Sequence, residues 1–252
     1  MSLKSLQPNE IVESQWLDTY YKFIQILTAQ LVELNTTLFA LVKIASFPFD
    51  LFQCDESFWS HFSVALVDKC ILIIWRMAID KSSDGLSISH LKNEIFKHSR
   101  NENIRKLLAK ELEEGNYGND LRSFADKIEA IRHKFIAHFS LSYIDEPDEK
   151  IFQETDISLS ELISFRDSVE SYFLLLCFGH NIQRLKYEYI EGHIMHPVNI
   201  QVILDSIAKD SIVIHLPETD YVKWKIFRQQ ITLEQLNILN EYRSRFKLPN
   251  LA

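Results

Sequence analysis

Between Pro48 and Pro147 the chain contains no proline, and only five glycines occur in all 252 residues. Proline breaks a helix by removing an N–H and clashing with the preceding turn, and glycine weakens one through backbone entropy. Long helices are therefore unopposed over this stretch, and the fold is read as mainly α. The length suffices to bury a full core and leaves room for one large domain with an extension.

Apolar spacing locates the helices. After Pro8-Asn9, Tyr20, Ile24, Leu27, Leu31, Leu34, Leu38, Leu41 and Ala45 recur at alternating steps of four and three, one long amphipathic helix ending before Pro48. A second opens near Asp55, a plausible N-cap, and carries Trp59, Phe62, Leu66, Cys70, Ile73 and Met77 towards Asp80. Ser87 or Ser89 caps a short helix with Leu91 and Ile95, and another holds Ile104, Leu107, Leu108 and Leu112 before the turn-rich EEGNYGND. Leu121, Phe124, Ile128, Ile131 and Phe135 form the next stripe, whose following position is His138. Ser158 and Glu161 fit a capping box opening a helix with Leu162, Phe165, Val169, Phe173 and Leu176.

From Gly192 the texture changes. Pro197 and Pro217 appear, SIVIHL reads as a short strand, and VKWKI alternates with a strand's period. Thr232 and Gln235 cap a last helix through Leu236, Leu239 and Tyr242. The expected organisation is a helical domain over residues 1–190 and a small C-terminal α+β extension over 191–252.

A net charge of −8 repels polyanions at long range and argues against nucleic-acid binding driven by overall charge, while leaving local basic patches open. Cys54, Cys70 and Cys177 lie far apart without a CxxC pair, which suits buried thiols in a reducing cytoplasm. The N-terminal MSLKSLQPNE lacks the apolar core of a signal peptide, and no uninterrupted run of about 18 apolar residues occurs. The expectation is a cytoplasmic protein with no membrane partner.

The stretch IRHKFIAHFS, residues 131–140, sets an arginine, two histidines and a lysine among apolar residues. Arg132 and His138 are six residues apart, about 240° around an ideal helix, so they flank the apolar stripe instead of sharing a narrow face. A second subunit supplying the opposite face makes a composite site at a dimer seam geometrically natural.

RHKFIAH resembles the signature of the HEPN superfamily, an Arg followed by a polar residue and, a few residues on, a His near the end of a core helix. The form is closest to the abortive-infection, AbiU-like branch. Members of that branch are similar in having FW open an earlier helix that ends in a leucine-rich stretch and an Asp, here FWSHFSVALVDKCILIIWRMAID, residues 58–80, followed by GLSISHLKNEI. The likeness covers roughly residues 10–190. It implies an up-and-down helical bundle, a homodimer, and a metal-independent endoribonuclease of toxin–antitoxin or phage-defence systems. A nucleotidyltransferase-type antitoxin is a partner known for some members.

Carried over by position, Arg132 and His138 match the two signature residues, and His133 takes the polar place beside the Arg. Lys127 and Lys134 flank them as substrate-binding candidates. The residue types suit the chemistry: when the 2′-OH of RNA attacks the adjacent phosphorus, a near-neutral imidazole serves as base or acid. A forked, permanent guanidinium charge meets the phosphate oxygens, and no metal or other cofactor is needed. The sequence departs from the pattern at His133, where Asn or Asp is frequent, and at Ser140, where an acidic residue or a modifiable Tyr stands in relatives; Tyr143 is nearby.

Other readings stay open. A histidine on an apolar seam is often a hydrogen-bonded core residue, and a non-catalytic HEPN dimer that binds a nucleotide or protein partner is the alternative function. Glu191, His193 and His196 are close in sequence but lack a third ligand at metal-site spacing. Neither a glycine-rich phosphate loop nor a GxSxG elbow is present. Three basic clusters, Arg105/Lys106/Lys110, Lys127/Arg132/Lys134 and Lys223/Lys225/Arg228, either line an RNA path, with Trp224 stacking on a base, or simply solvate exposed faces.

Overall fold

The apolar stripe after Pro8 becomes α2, Leu17–Ala45, preceded by the single turn α1, Pro8–Ile11, and a 3-10 turn at Ser14–Trp16. The structure, a computed structural model, describes residues 3, 6–54, 57–79, 85–115, 125–126, 128, 157–178 and 197–251. Further elements are α3 (Ser57–Ile74) with a π-helical turn at Trp75–Ile79, α4 (Ile88–Lys97), α5 (Glu102–Glu114) and α6 (Leu159–Leu175). They are followed by α7 (Pro197–Asp210), α8 (Ile212–Thr219), α9 (Tyr221–Gln230) and α10 (Leu233–Arg245). Among the described residues the protein is mainly α and holds no strand. Two compact units result, Met1–Leu38 with Val67–Ile194, and Phe39–Leu66 with Met195–Ala252.

In the first unit Tyr20, Ile24, Leu27, Leu31, Leu34 and Leu38 are buried, as their spacing predicts. The Tyr20 hydroxyl donates to the carbonyl of Leu176 at 2.9 Å. Leu176 caps the C-terminal end of α6, where carbonyls lack helical partners, so one bond satisfies both a buried phenol and an end-of-helix acceptor. The Ser158–Glu161 capping box opens α6, and its predicted apolar side is buried. Ser87 caps α4 by accepting from the His90 amide. Residues 11–14 run as a strap beside 98–100: Val12 and Ser99 form an antiparallel bridge, and Arg100 donates to the Val12 carbonyl and the Ser14 hydroxyl.

No unbroken apolar run of bilayer length exists, yet Ser14–Ala45 and Phe58–Ala78 are long and apolar enough on average to cross a membrane. The apolar window of the first is 50% buried inside the protein, as in the core helix of a bundle, against 28% for the second.

The second unit corrects the expected α+β extension. SIVIHL and VKWKI lie in α8 and α9, not in strands. A strand at 211–216 would bury alternate residues. Instead the adjacent Val213 and Ile214 are both buried with Leu216, while Ile212 is exposed, which is a helical period. Ser211 caps α8 by accepting from the Val213 amide, and Asp220 caps α9 by accepting from the Lys223 amide. The β-branched residues are thus overruled by local caps and by packing.

Arg243 on α10 is fully buried and organises this unit. It donates to the Pro249 carbonyl at 2.8 Å, to the Ile214 carbonyl, and through both terminal nitrogens to Glu218. Asn240 exchanges two bonds with the backbone of Leu251, and Lys247, at φ 59°, takes the left-handed position that ends α10. Tyr242 packs edge-on against Phe52, with ring centroids 5.0 Å apart.

Arg243→Met keeps most of the volume but leaves two carbonyls and a carboxylate without their donor. Its expected cost is about 3 kcal/mol of unfolding free energy in urea titrations. The bond from Arg243 holds the Glu218 carboxyl below its ordinary value of 4.5. A carboxylate with a depressed folded pKa stabilises fully above its unfolded pKa and stops doing so as pH falls through the folded value. Acid unfolding should therefore begin below about pH 4.5, and Glu218→Gln should flatten that limb of the stability curve.

Candidate active site

Of the segment leading to His138, Ala125, Asp126 and Ile128 are described; all are helical, and Ile128, the one described member of the stripe, is fully buried. The apolar reading thus holds at the middle of that stripe. Lys127, Arg132, His133, Lys134 and His138 lie outside the described residues, as do Ser140, Tyr143, Glu191, His193 and His196.

Several polar groups among the described residues of the first unit hold structure. The His98 ring stacks on Trp16, with centroids 5.1 Å apart, and its two nitrogens lie 3.5 Å from Glu13 and 3.5 Å from Glu94. Hydrogen bonds from Gln15 and His98 lower the pKa of Glu13. Together they fasten the N-terminal strap to the end of α4. Arg166 donates to Asn35 at 2.8 Å and Lys69 meets Glu33 at 2.9 Å, both between α2 and a later helix of this unit.

The basic cluster on α5 is offset by its own helix. Arg105 lies 3.5 Å from Glu102 and Lys110 lies 3.6 Å from Glu114, pairs that leave little net positive field for a phosphate. In the second unit Trp224 is buried beside Phe227, so of the two readings of that cluster the one in which Trp224 stacks on a base does not hold. No group of three His, Cys, Asp or Glu side chains suited to a metal occurs among the described residues.

A groove of about 620 Å3 in the second unit is lined by Phe52, Cys54, Val202, Ile203, Asp210 and Ile212 among others. Its thiol is a poor nucleophile, because burial raises the pKa of Cys54. Burial pushes Cys70 up to about 12, and no disulfide joins the three cysteines. Cysteine chemistry therefore finds no activated thiol at Cys54 or Cys70.

Sequence reading missed Arg243 as an interior residue and the His98–Glu13 clamp. An arginine in a polar-rich helix reads as a surface residue, and its partners lie up to 29 residues away. A partial signal for the clamp existed in the i, i+4 placement of Glu94 and His98.

Among the described residues the elements of the first unit are helices, and Ile128, on the sequence stripe that precedes Arg132 and His138, is buried, as a HEPN core helix would have it. A HEPN sequence model described as AbiU2 matches residues 51–194, more than half of the chain. The chain belongs to the AbiU2 family of the HEPN superfamily, a group of abortive-infection proteins whose superfamily members are commonly ribonucleases. It matches no curated protein and no solved structure.

At pH 8, iodoacetamide should leave Cys70 unmodified in the folded protein and react with Cys54 first. Peptide mass spectrometry after a short pulse reads this order, and rapid labelling of Cys70 would contradict the burial described above.

Proposed function

We propose that the protein is a metal-independent endoribonuclease that acts in the cytoplasm as a toxin or phage-defence effector. Two copies bring their Arg132 and His138 pairs together in a cleft at the twofold axis. The observation that carries this reading is the placement of RHKFIAH inside the region matched by the AbiU2 family, on a stripe buried at Ile128.

The chemistry is intramolecular transesterification. One histidine accepts the proton of the 2′-OH as that oxygen attacks phosphorus; a second proton passes to the departing 5′-oxygen, giving a 2′,3′-cyclic phosphate and a 5′-hydroxyl. His138 of each subunit fills one of these roles, with His133 beside the Arg as an auxiliary donor. Arg132 presents two N–H groups to the non-bridging oxygens, where negative charge grows in the phosphorane. Lys127 and Lys134 hold neighbouring phosphates. A nucleotidyltransferase-type antitoxin is the partner class expected to restrain such an enzyme.

His138→Ala should slow RNA cleavage by about 10²–10⁴-fold, and Arg132→Ala by about 10²–10³-fold. Arg132→Lys should recover only part of the loss, since an ammonium lacks the fork. Induced expression in cells reads the same difference: wild type arrests growth and His138→Ala does not. Equal growth of the two strains, together with no cutting by purified wild type, would remove the enzymatic reading and leave a binding module.

A further inference from the structure

The exposed side of α9 carries a combination of side chains that the fold does not use. Tyr221 and Val222 are each 70% exposed and Ile226 is 55% exposed, although large apolar side chains this open are costly to leave in water. At about 100° per residue, the exposed arc runs Tyr221, Lys225, Gln229, Val222, Ile226, Gln230, Lys223, and the opposite arc holds the less exposed Trp224, Phe227 and Arg228. An apolar stripe of Val222 and Ile226 thus lies between two lysines, with a phenol at one edge and two amides within reach.

Tyr221 to Gln230 contains no Asp or Glu, in a chain whose net charge is −8. Asp220, the N-cap, lies 3.2 Å from the Lys223 ammonium, yet the Lys223 side chain remains 74% exposed. Within its own ten residues α9 sets no carboxylate against Lys223, Lys225 and Arg228, whereas α5 carries Glu102, Glu111, Glu113 and Glu114 beside Arg105, Lys106 and Lys110.

We propose that this face of α9 is an accessory binding site for single-stranded RNA. The identity of the polymer rests on the ribonuclease reading above. A strand laid along α9 stacks a base on Tyr221, rests others on Val222 and Ile226, and sets phosphates against Lys223 and Lys225; Gln229 and Gln230 bond base edges without strong sequence preference. An anionic lipid surface shares the charge but fits less well. The residue best suited to anchor a helix among headgroups, Trp224, is turned inward at 8% exposure, and α9 spans only 10 residues.

The test is fluorescence anisotropy of a labelled 20-nucleotide oligouridylate with the full-length His138→Ala protein, so that the ligand survives the titration. Tyr221→Ala in that background should weaken binding roughly tenfold. A Lys223→Gln/Lys225→Gln double variant should make the slope of log K against log salt shallower by about 1.4, two phosphates at about 0.7 each. All three side chains are exposed, and circular dichroism checks that the helices persist. Unchanged affinity and slope in both variants would overturn the assignment, as would no binding by the parent. So would substitutions that impair binding to phosphatidylglycerol vesicles and leave RNA binding intact. Cleavage by the His138-intact protein is scored separately: Tyr221-dependent binding without any cutting keeps this site and removes the ribonuclease.

Discussion

The apolar seam of α2 is the constraint on which the first unit depends. Its members recur with the period of one helical face, so Tyr20, Ile24, Leu27, Leu31 and Leu34 all leave water together, and each contributes on the order of 2 kcal/mol of transfer free energy. A seam made only of aliphatic groups would be indifferent to its partner's register. The Tyr20 hydroxyl removes that freedom, because a buried phenol must find an acceptor, and the Leu176 carbonyl is the one it meets. The ring of Tyr20 lies stacked on Phe178, whose backbone takes φ 46°, a left-handed conformation that costs a non-glycine residue about 1 kcal/mol and persists because packing fixes it.

The second unit solves the same problem by polar means. Its helices are short, and α8 contains Pro217, so propensity alone holds them weakly. Arg243 compensates by bonding the body of α8, the Glu218 carboxylate and the tail after α10 from one buried guanidinium. Glu218 remains partly open to solvent, which keeps the desolvation cost below that of a wholly buried ion pair. Four hydrogen bonds to two separate segments, α8 and the tail after α10, specify one arrangement where apolar contacts would accept several.

Much of the helical plan was legible in the sequence because stripes and caps are local. The Ser87 cap and the Ser158–Glu161 and Thr232–Gln235 boxes stand where side-chain spacing puts them, and the stripes beside them are buried. The strand readings of SIVIHL and VKWKI failed for a physical reason: in runs this short, β-branched propensity and a two-residue alternation are weak against an N-cap on each segment. The role of Arg243 was illegible because no local pattern announces a bond to a residue 25 positions upstream. Arg132 and His138 were legible only as a motif. Their separation of about 240° marks no shared face, and it is the resemblance, now supported by family membership, that gives the pair meaning.

Charge completes the picture. An acidic chain does not attract RNA through its overall field, so any RNA chemistry must rest on local cations, Arg132 with Lys127 and Lys134 around the sequence signature and the open lysines of α9. A ribonuclease of this kind leaves a distinctive product, because the nucleophile belongs to the substrate. The most direct measurement is end-group analysis of RNA incubated with purified protein and excess chelator. The ribonuclease assignment predicts 2′,3′-cyclic phosphate and 5′-hydroxyl ends, and no scission at a position carrying a single 2′-deoxy sugar. Ends bearing 3′-hydroxyl and 5′-phosphate, formed only with a divalent metal, would contradict it.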